Sequence, residues 1–131
     1  AVEIYHAAKL KKKYTSFLKE DTHLPMMYMP DAIRATIELM EAPAKNIKVR
    51  TSYNLSSMSF SPAEIGAEIK KHIPDFEMGY QPDYRQAIAD SWPKSIDDTY
   101  ARKDWKWKHD FSLEQITKEM LTHLCEKYKK A

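Results

Sequence analysis

Tyr5-His6-Ala7-Ala8-Lys9 has the spacing Tyr-x-x-x-Lys, which on a helix stacks a lysine one turn from a tyrosine and lowers the phenol pKa for hydride chemistry. With eight tyrosines in a lysine-rich chain, about one such match arises by chance. No glycine-rich loop accompanies it, so Tyr5 reads as packing and Lys9 as surface. The histidines His6, His23, His72, His109 and His123 are scattered, and His123-x-Cys125 is the one close pair of soft ligands. A zinc site needs a second pair, so no metal site is expected.

All three tryptophans fall between Ser91 and Phe111. Trp92 stands beside Pro93, where a large ring with one N–H to satisfy implies a core corner or a pocket wall. Lys103-Asp104-Trp105-Lys106-Trp107-Lys108 alternates rings with charges, a pattern that stacks on single-stranded bases or packs its rings behind lysines. A stacking platform normally sits in a basic field, and the net charge here is only +2. Packing that holds the last helix in place is the expectation for Trp105 and Trp107, and no nucleic-acid partner is expected. Met26-Met27-Tyr28-Met29 likewise reads as core before cofactor box.

The 131 residues, 43% hydrophobic and 31% charged, fit one globular domain with a real core. The two glycines, Gly66 and Gly79, leave no room for a dinucleotide fingerprint or a Walker loop. One cysteine, Cys125, cannot form an internal disulfide, which suits a reducing compartment. The longest uncharged, mostly apolar run, Leu24 to Pro30, is too short to span a bilayer. A soluble, intracellular protein without a membrane partner is the expectation. The chain opens in helical register with no capping residue and no initiator Met, as though cut from something longer.

These residues need elements to hold them. Val2, Ile4, Tyr5 and Ala8 give an opening helix that ends in lysines, which a helix C-terminus welcomes. Tyr14 to Leu18 and Met26 to Met29 read as short strands. Asp31 starts a helix with the stripe Ile33, Thr36, Ile37 and Met40, followed by a strand over Ile47 to Thr51 with Tyr53 to Leu55. Ser61-Pro62-Ala63-Glu64 carries an N-cap serine, proline at the first helical position and glutamate at the third, and Ile65, Ile69 and Ile73 continue that face. Phe76 to Tyr80 alternates as a strand. A short helix from Asp83 is stopped by Pro93, Asp98 caps another through Asp104, and Ser112 opens the last. Its buried stripe is Leu113, Ile116, Met120, Leu121 and Leu124, with a fraying tail from Glu126. The class is mixed α/β or α+β, in one module over residues 1–131.

Four stretches then converge: Pro25-Met26-Met27-Tyr28-Met29-Pro30-Asp31-Ala32-Ile33-Arg34-Ala35-Thr36, the Met58 to Glu64 helix start, Arg85-Gln86-Ala87-Ile88-Ala89-Asp90-Ser91-Trp92-Pro93, and Ala101 to Phe111. In that order and spacing they resemble NAD-dependent L-threonine 3-dehydrogenases of the extended short-chain, epimerase-like type. The resemblance implies a C-terminal fragment holding the substrate lobe and the last elements of a Rossmann fold, without the nucleotide-binding half. The NAD loop and the catalytic serine, tyrosine and lysine would lie upstream of Ala1. No residue of this chain would then be catalytic or bind the cofactor, and the fragment alone would be inactive.

By the same resemblance the parent oxidises L-threonine to 2-amino-3-ketobutyrate and pairs as a homodimer. It would work in a bacterial cytoplasm or a mitochondrial matrix. Trp92 would wall the threonine pocket, with Arg85 and Met27 as further substrate contacts. Related sugar-nucleotide epimerases carry an arginine where this chain has Leu24-Pro25, which fits a small substrate. Lys106 stands where the family usually has glycine between the two tryptophans. The competing expectation is a free-standing module gripping a partner or single-stranded nucleic acid through Trp92, Trp105 and Trp107.

Overall fold

Local sequence rules set most of the helix starts in the computed structural model, which describes residues 2–129. In chain order the elements are α1 (Val2–Lys11), β1 (Lys13–Ser16), β2 (Leu24–Met26), α2 (Met29–Glu41), a 3-10 turn (Ala44–Asn46), β3 (Met58–Phe60), α3 (Pro62–His72), β4 (Glu77–Tyr80), α4 (Arg85–Asp90), α5 (Thr99–Asp104) and α6 (Leu113–Lys129). Helix α3 begins with the predicted capping box: Ser61 Oγ accepts from the Glu64 amide while the Glu64 carboxylate accepts from the Ser61 amide. Ser112 and Gln115 make the same reciprocal pair before α6. Asp98 precedes α5 but does not cap it, because its carboxylate is taken by Arg102 at 2.7 Å and by the Ser56 amide at 3.2 Å.

The strands make two small ribbons. β1 and β4 run parallel with Tyr14 opposite Met78, and β2 and β3 run antiparallel with Leu24 opposite Phe60. Ile4, Tyr5 and Ala8 of α1 meet Ile65 and Ile69 of α3, Phe60, Phe76, and Ile116, Leu121 and Leu124 of α6 in the main core. A second cluster joins Ala35 of α2, Ala101 of α5, Trp105 and Trp107, with Ile47, Tyr53 and Leu55 against it. The two tryptophans therefore hold α2 and the 47–55 segment, rather than the last helix.

Four further expectations change. The strand at Met26 to Met29 is displaced to Leu24–Met26, and α2 begins at Met29 because Pro30 presets the first helical turn. The stripe of α2 faces outward: Ile33, Ile37 and Met40 are 55%, 48% and 80% exposed while Asp31 and Ala35 are fully buried. No strand forms over Ile47 to Leu55; the amides of Lys48 and Val49 donate to the Tyr53 hydroxyl instead of to a ladder. The tail does not fray as far as Lys129, since Tyr128 stands edge-on to His6 of α1 and its hydroxyl lies 2.7 Å from His6 Nδ1. Ala1, Lys130 and Ala131 lie outside the described residues. Among the described residues no helix is long and apolar enough to cross a membrane.

Candidate functional site

Trp92 owes its place to the way α4 stops. The Ser91 and Trp92 amides fold back onto the Ile88 and Ala89 carbonyls, Ser91 Oγ donates to Ile88 O, and Pro93 forbids another turn. The indole is left 59% exposed at the rim of a pocket of about 170 Å³, between the end of α4 and the turn after β1. Lys19, Asp21, Asp90 and Lys94 also line it, so two ammonium and two carboxylate groups surround one aromatic wall. Such a pocket suits a small molecule carrying both charges and an apolar carbon. His23 lines the pocket as well, with Nδ1 2.9 Å from Asp21 O and Nε2 3.2 Å from Glu64 Oε2.

The structure does not bring the three expected substrate contacts together. Arg85 lines a separate polar depression of about 340 Å³ with Glu3, Thr15 and Gln81. Its guanidinium donates to both Asp83 oxygens and lies 3.4 Å from the centroid of the Phe17 ring. The hydrogen bond from Arg85 keeps the Asp83 carboxyl below its usual range. Met27, between β2 and α2, is half-buried against the Trp105–Trp107 cluster.

Tyr5 and Lys9 behave as packing and surface. Tyr5 is 2% exposed, its hydroxyl is 2.9 Å from Thr117 Oγ1, and burial pushes its phenol pKa up, opposite to what a base needs. Trp105 and Trp107 are 8% and 2% exposed, and Trp107 Nε1 donates to Ser56 O at 3.1 Å, so neither ring is free to stack on a base. Gly66 lies inside α3, where an added Cβ would meet Met78 at 3.3 Å, and Gly79 lies inside β4. Neither sits at a strand-to-helix turn, so these residues do not fit the pyrophosphate of a dinucleotide. Among the described residues no group of three His, Cys, Asp or Glu side chains is placed to hold a metal ion.

Two buried polar residues hold roles that the sequence analysis did not assign. Asp31 accepts from the amides of Asp110 and Phe111 and from Arg34; Gln86 bonds Lys19, Thr22 and Asp90. Their partners are mostly distant in sequence; the four-residue spacing of Gln86 and Asp90 is a signal that could have found one of them.

No family model matches the sequence. The mitochondrial L-threonine 3-dehydrogenase of Bos taurus is 52% identical over 92% of this chain and 32% of its own length. An uncharacterized epimerase/dehydratase of Staphylococcus haemolyticus is 51% identical over 97% of this chain and 40% of its own. Among solved structures, the apo GalE-like L-threonine dehydrogenase from Cupriavidus necator superposes with a TM-score of 0.89 at 58% identity, covering 93% of this chain and 44% of that one. The chain thus spans between about a third and just under half the length of the proteins it matches. The resemblance to epimerase-like L-threonine 3-dehydrogenases and the partial Rossmann-type α/β class are both borne out.

Proposed function

We propose that this chain is the C-terminal, substrate-side part of an NAD-dependent L-threonine 3-dehydrogenase of the extended short-chain type, inactive by itself. The parent would oxidise the L-threonine hydroxyl to give 2-amino-3-ketobutyrate and NADH, in a bacterial cytoplasm or a mitochondrial matrix. The observation that carries the reading is Trp92: it stays 59% exposed at a mixed-charge pocket while the other two tryptophans are buried. A threonine zwitterion matches that pocket in size and charge, and the indole would shield the reacting carbon from water.

Two further features favour a larger parent. The α2 face of Met29, Ile33, Ile37 and Met40 is uncovered, and the β-prone segment at residues 47–55 has no ladder partner. A bare apolar helix face together with a β-prone segment that forms no strand is what remains when a sheet is taken away. NAD would be held by the portion this chain does not span, as would the catalytic serine, tyrosine and lysine. A homodimer would form through that same portion.

Steady-state kinetics of Trp92→Ala in the parent protein test the reading. Expected are a fall of about tenfold or more in kcat/KM for L-threonine and an unchanged affinity for NAD, the size of effect that losing a pocket wall brings. Unaltered threonine kinetics would remove Trp92 from the site.

A further inference from the structure

We infer that Gln86 is a positioning residue for Trp92, setting where the indole stands through the clamp it makes between α4 and the turn at Lys19 to Thr22. The inference rests on the threonine-pocket reading of Trp92 given above.

Gln86 is 8% exposed, and its carboxamide uses both ends. Oε1 accepts the Lys19 amide at 2.8 Å and the Thr22 hydroxyl at 3.3 Å. Nε2 donates to Thr22 Oγ1 at 3.0 Å and to Asp90 Oδ1 at 2.6 Å. The turn closes on itself through the Thr22 amide and the Lys19 carbonyl, so it presents these partners as one rigid unit. Asp90 is the last residue of α4, and Trp92 follows two positions later, its amide tied to Ala89 O.

That arrangement gives α4 a fixed rotation relative to the turn. Without it, a six-residue helix has little of its own to stay in place. Both sides of the pocket, the turn with Lys19 and Asp21 and the helix end with Asp90 and Trp92, meet at this one amide. A buried group with its donors and acceptors satisfied fixes one geometry, and losing it strands several partners at once.

Gln86→Glu in the parent protein is the discriminating variant. It keeps the acceptor toward Lys19 and Thr22 but sets a second carboxylate against Asp90, and two carboxylates at that distance hold together only while they share a proton. Lys19 and Asp21 from the turn, His23 beyond it and Lys94 after Pro93 are the other charged or titratable groups facing the pocket, so each variant is compared with wild type at the same pH. At pH 8 the KM ratio for L-threonine should rise about tenfold, with kcat and the KM for NAD within about twofold. The ratio should fall as the pH drops toward 6. Asp90 itself lines the pocket, so the double variant Gln86→Glu/Asp90→Asn is compared with Asp90→Asn alone: with a donor returned to the pair, the ratio between those two should stay within about threefold at both pH values. A pH-independent ratio, or no rescue in the double variant, overturns the inference.

Acrylamide quenching of this chain gives an independent reading, because Trp105 and Trp107 are buried and the quencher reports Trp92. Gln86→Leu should change the quenching constant by about a third or more, with the far-ultraviolet circular dichroism of wild type. Unaltered quenching overturns the inference. Altered quenching combined with wild-type threonine kinetics in Trp92→Ala overturns the substrate reading instead.

Discussion

Both carboxylate oxygens of Asp31 accept the backbone N–H of Asp110, at 3.0 and 3.1 Å, joining the first turn of α2 to the segment that leads into α6. The Phe111 amide and Arg34 Nη2 complete the set, and Asp31 has no exposure. Burial alone would push this carboxyl up, but the bonds from Asp110, Arg34 and Phe111 outweigh it and hold the pKa below its ordinary value. Asp31→Ala leaves two amides and a guanidinium short of a partner and should cost roughly 3 kcal/mol in chemical denaturation. A group depressed in the folded state lends stability above its unfolded pKa, near about 4, and loses it as the pH falls through the folded value. Asp31→Asn should therefore lower stability at pH 7 and flatten the acid limb below about pH 4. An acid limb as steep as that of wild type would count against this account.

Lys106 marks the point where the chain leaves α5. Its φ of 65° is left-handed, and it follows Trp105, the C-cap of α5. The Trp105 and Trp107 amides both donate to Ala101 O, so the chain must reverse at Lys106 to bury both rings. Helices commonly end in such a position with glycine, because a Cβ there costs on the order of 1 kcal/mol. Lys106→Gly should raise stability by roughly 0.5–1 kcal/mol, or several degrees in Tm, after its own backbone entropy is offset. A lower Tm would mean that the lysine side chain contributes something the backbone argument omits.

What was legible in the sequence was local. Ser61 and Glu64 lie three apart, so their cap is written in one turn, and Pro93 marks the end of α4 without help from the rest of the fold. Trp92, Trp105 and Trp107 were separable for the same reason: one follows a stopped helix and two flank a turn. The helical period of Ile33, Ile37 and Met40 was correct, but a period does not say which side meets the core, and the Asp31 network turns that stripe outward. The strand over residues 47–55 failed because a ladder needs a neighbour that no local pattern supplies. Gln86 and Arg85 are adjacent and face different depressions, a distinction set by Thr22 and Phe17, far away in sequence.

Tyr5 and Thr117 tie α1 to α6 through a 2.9 Å bond between side chains that are 2% and 0% exposed. Tyr5→Phe keeps the ring and removes the hydroxyl, leaving Thr117 Oγ1 without this partner. A loss of about 1 kcal/mol is expected. Since burial raises the phenol pKa, Tyr5 does not serve as a base at neutral pH, and kcat of the parent should be unchanged. A fall in kcat larger than about tenfold, with the fold intact, would restore the Tyr-x-x-x-Lys reading that the structure sets aside.

On the proposed reading, the uncovered face of α2 is where the rest of the parent would pack. Met29, Ile33, Ile37 and Met40 line up along roughly 16 Å of helix at 1.5 Å per residue, with exposed Thr36 between them and no charge on the line. In the chain alone, Ile37→Lys replaces a half-exposed isoleucine and should change stability by no more than about 0.5 kcal/mol. In the parent protein the same lysine would be forced against a covering sheet, at a cost of about 2–3 kcal/mol in thermal unfolding. The difference between those two effects is the measurement. Equal, small effects in both would mean that the rest of the parent does not cover α2.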